Sequence, residues 1–143
     1  MLIKNAENYR DGIMQLLSSA KLPVDDLPLL LNNFLAAVDD TGQVIGVAGF
    51  EIYGTNALLR SVAVKPEFRN QGIADKLLQE VESMALLNKL KVICLLTETA
   101  PEYFSRKGYT TILRQDIPEE VKQSSEFSHV CPVSAIVMKK EIN

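Results

Sequence analysis

Val64-Lys65-Pro66-Glu67-Phe68-Arg69-Asn70-Gln71-Gly72-Ile73-Ala74 is the stretch that decides the fold. The apolar run from Leu58 to Val64 stops at Pro66, which cannot donate to a sheet ladder. Arg-x-x-Gly-x-Ala follows, and an amphipathic helix pattern begins at once. The phrase reads as a strand, a tight loop and a helix start. The first N–H groups of such a helix have no partner inside it, and the helix dipole is positive at that end. A pyrophosphate placed there is bound by backbone donors. Gly72 and Ala74 keep side-chain bulk away from the anion, and Arg69 adds charge at the rim. Neither G-x-x-x-x-G-K-[ST] nor G-x-G-x-x-G occurs anywhere in the chain.

Reading outward gives alternating strands and helices. Leu2 to Lys4 is a short first strand. From Ala6 to Ala20 the apolar residues Ile13, Leu16 and Leu17 recur at helical spacing, behind Asn5 as a cap. Asp25-Asp26-Leu27-Pro28 starts a second predicted helix running through Leu31 and Asn32, with acidic residues in its first turn. Phe34 to Val38 is a strand, Asp39 to Gly42 a turn and Val44 to Tyr53 the returning strand. Gly54-Thr55-Asn56 turns into Ala57 to Val64. The helix from Gly72 to Leu87 puts Ile73, Leu77, Val81 and Met84–Ala85 on one face. Val92 to Thr97, Ala100 to Lys107 and Tyr109 to Arg114 form a strand–helix–strand unit. Pro118 to Gln123 is a helical turn and Val133 to Met138 a last strand. The expected fold is α/β, one domain spanning 1–143 on a mixed sheet.

Composition narrows the function classes. The chain has 143 residues, 47% apolar and 23% charged, with a net charge of −3. Those are the proportions of a globular domain large enough to bury a core. Without a Lys/Arg cluster, nucleic acid is not an expected partner. The apolar runs, such as Val92 to Leu96, are too short to cross a bilayer, and the N-terminus carries no signal-peptide pattern. The two cysteines, Cys94 and Cys131, do not make a disulfide framework, so a cytoplasmic location is expected. No His/Cys cluster has zinc spacing, and no metal is expected.

The Arg69-to-Ala74 loop resembles the acyl-CoA-binding motif of the GNAT acetyltransferases, Arg/Gln-x-x-Gly-x-Gly/Ala. Leu59-Arg60-Ser61-Val62-Ala63-Val64 is similar to that family's fourth strand, and Ile73 to Met84 to the helix behind the pyrophosphate. Val92 to Leu96, Ala100, Phe104, Gly108 and Tyr109 extend the likeness through the fifth and sixth strands. The resemblance implies a mostly antiparallel sheet that splays between its fourth and fifth strands. It implies acetyl-CoA as co-substrate in that wedge, a primary amine as acceptor and often a homodimer. The segment Leu95-Leu96-Thr97-Glu98-Thr99-Ala100-Pro101-Glu102-Tyr103-Phe104 is similar to the acetyltransferase domain of N-acetylglutamate synthases. The tail Glu126-Phe127 … Cys131-Pro132-Val133-Ser134-Ala135 … Met138 resembles arsenic-resistance N-acetyltransferases. Both imply a small, amino-acid-like acceptor.

Acetyl transfer needs a held thioester, a neutral amine and a stabilised oxyanion. Well-oriented groups reach effective molarities of roughly 10⁵ M or more, so position supplies much of the rate. Backbone N–H groups around Val62 to Val64 are placed to polarise the thioester carbonyl. Val62, Val64, Arg69, Asn70, Gln71, Gly72, Ile73 and Ala74 are the expected cofactor contacts. Glu51, on the strand face of Val47 and Tyr53, is the candidate general base; the competing reading is a solvated carboxylate. The family's acidic tyrosine aligns with Phe104, which has no proton to give. Tyr103 lies one residue earlier, roughly 100° around the helix, and is either a substitute acid or a packing residue. Arg60 is either a clamp for a substrate carboxylate or an arginine snorkelling from a strand end. Thr97 and Glu98 are placed to line the acceptor pocket. His129 is the lone histidine and has no partner in sequence. The intact loop fits a second class too, a non-catalytic acyl-CoA-binding sensor or scaffold.

Overall fold

The computed structural model describes residues 1–124 and 134–142. His129 and Cys131 lie outside them, as does the Gln123-to-His129 stretch beyond Ser124. The strands are β1 (Leu2–Asn5), β2 (Phe34–Val38), β3 (Val44–Tyr53), β4 (Asn56–Val64), β5 (Val92–Thr97), β6 (Thr110–Ile112) and β7 (Ile136–Glu141). The helices are α1 (Arg10–Ser19), α2 (Ile73–Leu87), α3 (Pro101–Arg106) and α4 (Glu119–Lys122). Short 3₁₀ turns cover Ala6–Tyr9, Pro66–Phe68 and Arg114–Asp116.

The strands form one seven-stranded sheet in the order β1-β2-β3-β4-β5-β7-β6. Its ladders are antiparallel at β1–β2, β2–β3, β5–β7 and β6–β7, and parallel at β4–β5. The parallel ladder joins Asn56, Ala57 and Leu58 to Val92, Ile93 and Cys94. On its other side β5 is paired along its whole length, from Val92 with Glu141 to Thr97 with Ile136. This is the mixed α/β sheet expected from the pattern, mostly antiparallel as the resemblance implies.

Two compact units divide the chain, Met1–Phe50 with Arg60–Ser83, and Glu51–Leu59 with Met84–Asn143. Neither is a continuous stretch, because the chain changes unit within β3, β4 and α2. The first unit buries Ile13, Leu16 and Leu17 of α1, the expected stripe, against Phe34, Ala36 and Val47 of the sheet. The second packs Leu58 and Cys94 with Ile117, Val121 and Val137.

Three expectations are corrected. No helix forms at Asp25–Asn32, which is turns and irregular chain. Pro28 removes an N–H and pushes Leu27 away from helical geometry. Leu27 and Leu31 are buried, but Leu29 and Leu30 are 94% and 67% exposed, so the segment has anchors rather than a helical stripe. The last strand, expected over Val133 to Met138, is Ile136–Glu141 and runs on past Met138, set by its ladders with β5 and β6, while Val133 lies outside the described residues. The sixth strand is Thr110–Ile112, shorter than Tyr109 to Arg114, because Arg114–Asp116 turns into a 3₁₀ helix.

Helices α1 and α2 end without glycine. The N–H of Leu22 returns to Leu17 O at 2.9 Å, and that of Leu90 to Ala85 O at 3.0 Å. Each closure places a lysine, Lys21 or Lys89, at positive φ (60° and 61°).

Cys94 is a free thiol, wholly buried in β5. Burial pushes it from 9.0 up to about 11, partly offset by the nearby Lys139 charge. The fold therefore keeps a proton that the unfolded chain releases near pH 9.0. The contribution to stability is complete below that pH and is lost as the pH rises through about 11. In a Cys131→Ser chain at about pH 8, iodoacetamide is expected to modify Cys94 only after denaturant is added. Rapid labelling of the native chain, seen by mass spectrometry, would contradict this burial.

Candidate functional site

The residues singled out in the sequence fall into two groups, one in each unit. In the first, β4 leaves the sheet at Lys65, whose N–H donates to Ile45 O of β3 at 2.8 Å. Pro66–Phe68 makes one 3₁₀ turn, closed by Phe68 N–H to Lys65 O at 2.9 Å. The chain then reverses through two positive φ angles, Asn70 at 64° and Gly72 at 79°. Asparagine is among the few side chains that enter this region readily, and glycine does so without a penalty. Helix α2 starts at Ile73, and its first turn closes when Lys76 N–H donates to Gly72 O at 3.1 Å. The N–H groups of Ile73 and Ala74 therefore stand at the positive end of a fifteen-residue helix.

The space before that helix end is open. A Cβ built on Gly72 would meet nothing within 4 Å, so glycine is favoured there by the backbone angle and not by packing. Ile73 is buried and roots the helix, whereas Asn70, Gln71 and Gly72 are exposed. Arg69 is exposed too, and its Nε donates to Val64 O at 3.2 Å, folding the guanidinium back over the end of β4. Val62 and Val64 are half-buried on that strand. Gln71 reaches Glu67 O only at 3.5 Å, a marginal hydrogen bond.

Arg60 takes neither role expected of it. Its side chain is fully buried, and its fork holds a carboxylate of the same chain, Asp26. Nη2 donates to Oδ1 at 2.7 Å and Nη1 to Oδ2 at 2.9 Å. Nε donates to Ser61 Oγ at 3.1 Å, and the guanidinium carbon lies 6.0 Å from the centre of the Phe34 ring. Gly49 makes room for that ring, since a Cβ there would collide with it. The clamp expected for a substrate carboxylate thus closes on Asp26 of the 21–33 segment, a partner that the sequence did not point to. Ser61 was missed as well. It sits within β4 at φ 59°, a conformation costing a non-glycine residue roughly 1–2 kcal/mol.

In the second group, Glu51 and Tyr53 share a strand face as expected. The Tyr53 hydroxyl donates to Glu51 Oε1 at 3.0 Å, and both side chains are half-buried. Thr97, at the end of β5, is 9% exposed, and its Oγ1 accepts the Ala100 N–H at 3.1 Å, holding the turn into α3. Glu98 is exposed. Phe104 is 7% exposed and packs edge-to-face with Tyr109 at 5.7 Å, a core residue without a proton to give. Tyr103 is half-buried, edge-on to Phe104 at 5.2 Å, with Lys107 Nζ 5.6 Å from its ring centre. Among the described residues no group of three or more His, Cys, Asp or Glu could hold a metal ion. No helix there is long and apolar enough to cross a membrane.

The strand, the tight loop and the open helix N-terminus are the arrangement expected of the Val64-to-Ala74 stretch. The acetyltransferase (GNAT) domain family matches residues 31–111. An uncharacterized N-acetyltransferase of Chlorobaculum tepidum is 31% identical over 112 residues, 78% of this chain and 68% of that protein. The chain belongs to the GNAT acetyltransferase family. An amino-acid acetyltransferase of Actinobacillus pleuropneumoniae is 21% identical over 111 residues, 76% of this chain but only 25% of that protein. The chain thus spans about a quarter of the amino-acid acetyltransferase it matches there. N-acetylglutamate synthase from Neisseria gonorrhoeae, solved with coenzyme A and N-acetyl-glutamate, superposes with a TM-score of 0.80 at 14% identity. That superposition covers 99% of this chain and 35% of the synthase chain.

Proposed function

We propose that the chain is a single acetyltransferase domain that moves an acetyl group from acetyl-CoA directly to the primary amine of a small, amino-acid-like acceptor. The observation that carries this reading is the open N-terminus of α2, entered through Asn70 and Gly72 at positive φ. A pyrophosphate there would take the N–H groups of the Arg69-to-Ala74 loop, with Arg69 able to swing toward its charge. Pantetheine and the thioester would run along the backbone of Val62 and Val64.

On this reading Glu51 removes a proton from the acceptor's ammonium, directly or through water, and Tyr53 holds the carboxylate in place. The neutral amine attacks the thioester carbonyl, the tetrahedral oxyanion is held by β4 N–H groups, and the C–S bond breaks as CoA thiolate departs. Phe104 supplies no proton for the thiolate, so it leaves unprotonated or takes one from Tyr103 or water. An amino-acid acceptor is supported by the relatives' names and by the N-acetyl-glutamate bound in the synthase. With Arg60 occupied by Asp26, recognition of such an acceptor falls to other groups. Thr97 is one, because its hydroxyl still has a proton to donate. A cytoplasmic location and pairing of two copies belong to the same proposal.

The test is release of CoA thiol from acetyl-CoA against free amino acids, polyamines and lysine peptides, with products identified by mass spectrometry. Turnover confined to free amino acids is expected. Turnover on peptides alone would overturn the acceptor class. Tight acetyl-CoA binding without turnover on any acceptor would favour the non-catalytic sensor or scaffold.

A further inference from the structure

Four non-glycine residues among those described have positive φ: Lys21, Ser61, Asn70 and Lys89. Lys21 and Lys89 close helix ends, and Asn70 turns the phosphate loop. Ser61 alone lies inside a strand, where nothing in the local sequence calls for a left-handed residue. The residue before it carries the fully buried guanidinium, whose Nε donates to Ser61 Oγ while both Nη atoms hold Asp26. Nη1 also reaches the Asp26 carbonyl at 3.4 Å. One planar group therefore ties the serine side chain, a carboxylate 34 positions earlier and the backbone beside that carboxylate. The Phe34 ring beneath it limits how far it can tilt.

We propose that Asp26 and Arg60 are a positioning pair that locks Ser61 in its left-handed conformation and so fixes where the backbone groups of Val62 point. The inference rests on the reading of β4 as the thioester strand. A residue at positive φ reverses the pleat locally, so the N–H and C=O that follow it face differently from those of a regular strand. Serine does not hold that angle by itself. An anchor on its hydroxyl, rooted in a bidentate ion pair, supplies the restraint. Lysine cannot replace that anchor, since a single ammonium has no fork to span Ser61 Oγ and both Asp26 oxygens. Asp26 and Arg60 touch no reacting atom on this reading; they act through the backbone.

The test compares Arg60→Lys with Arg60→Lys/Ser61→Gly in the full chain, because glycine adopts the left-handed angle without an anchor. Two readouts are taken, the amide–Hα coupling constant of residue 61 by NMR and steady-state acetyl transfer. Arg60→Lys is expected to shift the Ser61 coupling toward the extended value. It should lower kcat by about ten- to a hundredfold, the penalty of a small misplacement, with a smaller change in the acetyl-CoA KM. Adding Ser61→Gly should return most of the lost kcat. A merely structural pair would not be rescued by a glycine that adds no contact. Should Arg60→Lys not fold, Asp26→Asn loosens the same fork and is scored in the same way, with and without Ser61→Gly.

A left-handed coupling at Ser61 that persists in the loosened variant overturns the proposal. So does a folded double variant as slow as the single one. If the wild-type chain transfers acetyl to no acceptor, the functional reading fails, and the coupling constant still decides whether the pair sets Ser61.

Discussion

Replacing Asp26 by alanine is expected to destabilise the fold by about 3–5 kcal/mol, the cost of leaving one member of a buried ion pair alone. For a chain of this size the thermal midpoint should fall by roughly 10 °C or more. Arg60 has no side-chain exposure and Asp26 only 11%, so water cannot take over the lost hydrogen bonds without opening the core. The 21–33 segment has no helix or strand to hold it and leans on Leu27, Leu31 and this ion pair. Asp26→Asn keeps the shape and one acceptor oxygen and should cost less. The pair Lys122–Glu119 is the contrast, with Glu119 85% exposed, and Glu119→Ala should cost less than about 1 kcal/mol. Urea unfolding of the three variants side by side measures the difference. An Asp26→Ala chain within about 1 kcal/mol of wild type would mean that the carboxylate and guanidinium are not paired in solution.

Glu51→Gln is expected to lower kcat by roughly 10²–10⁴, the usual worth of a general base, while acetyl-CoA affinity stays at the wild-type level. Glutamine keeps the volume and can still accept from the Tyr53 hydroxyl, whose hydrogen bond to Glu51 spans 3.0 Å. What it removes is the ability to take a proton from an ammonium. A kcat loss that shrinks as the assay pH is raised, as more acceptor amine becomes neutral on its own, would identify the missing step as deprotonation. A loss in acetyl-CoA affinity instead would assign Glu51 to shaping the strand.

The parts of the fold legible in the sequence are those written by local periodicity. The Leu58-to-Val64 run, the stop at Pro66 and the spacing of Ile73, Leu77 and Val81 each report their element within a few residues, and each element forms. The tight turn between β4 and α2 is legible too, since Asn70 and Gly72 are residue types that a left-handed turn selects. The expected helix at Asp25–Asn32 fails because its strongest restraints are not local. Acidic residues ahead of apolar ones suit a helix start, but Asp26 is claimed by a guanidinium 34 residues away, and Pro28 breaks the pattern. Arginine in an apolar strand reads as reaching outward, but the carboxylate that claims Arg60 lies in the irregular 21–33 segment. Ser61 left no trace at all, since its hydroxyl is held by the neighbouring Arg60, whose guanidinium is itself fixed by Asp26 34 positions earlier. Glu51 was placed by strand phase, and its hydrogen bond from Tyr53 shows the two on one strand face.

The most direct test of acyl-CoA binding at the α2 N-terminus is calorimetric titration of acetyl-CoA into wild type, Gly72→Asn and Gly72→Asp. Nothing lies within 4 Å of a Cβ at position 72, and both replacements carry the same strain at φ 79°, so the two variants differ in charge alone. A carboxylate set beside a pyrophosphate should weaken binding by roughly 1–3 kcal/mol relative to asparagine, about ten- to a hundredfold. Equal affinities for Gly72→Asn and Gly72→Asp, or no acetyl-CoA binding by the wild-type chain, would contradict a pyrophosphate site at that helix end.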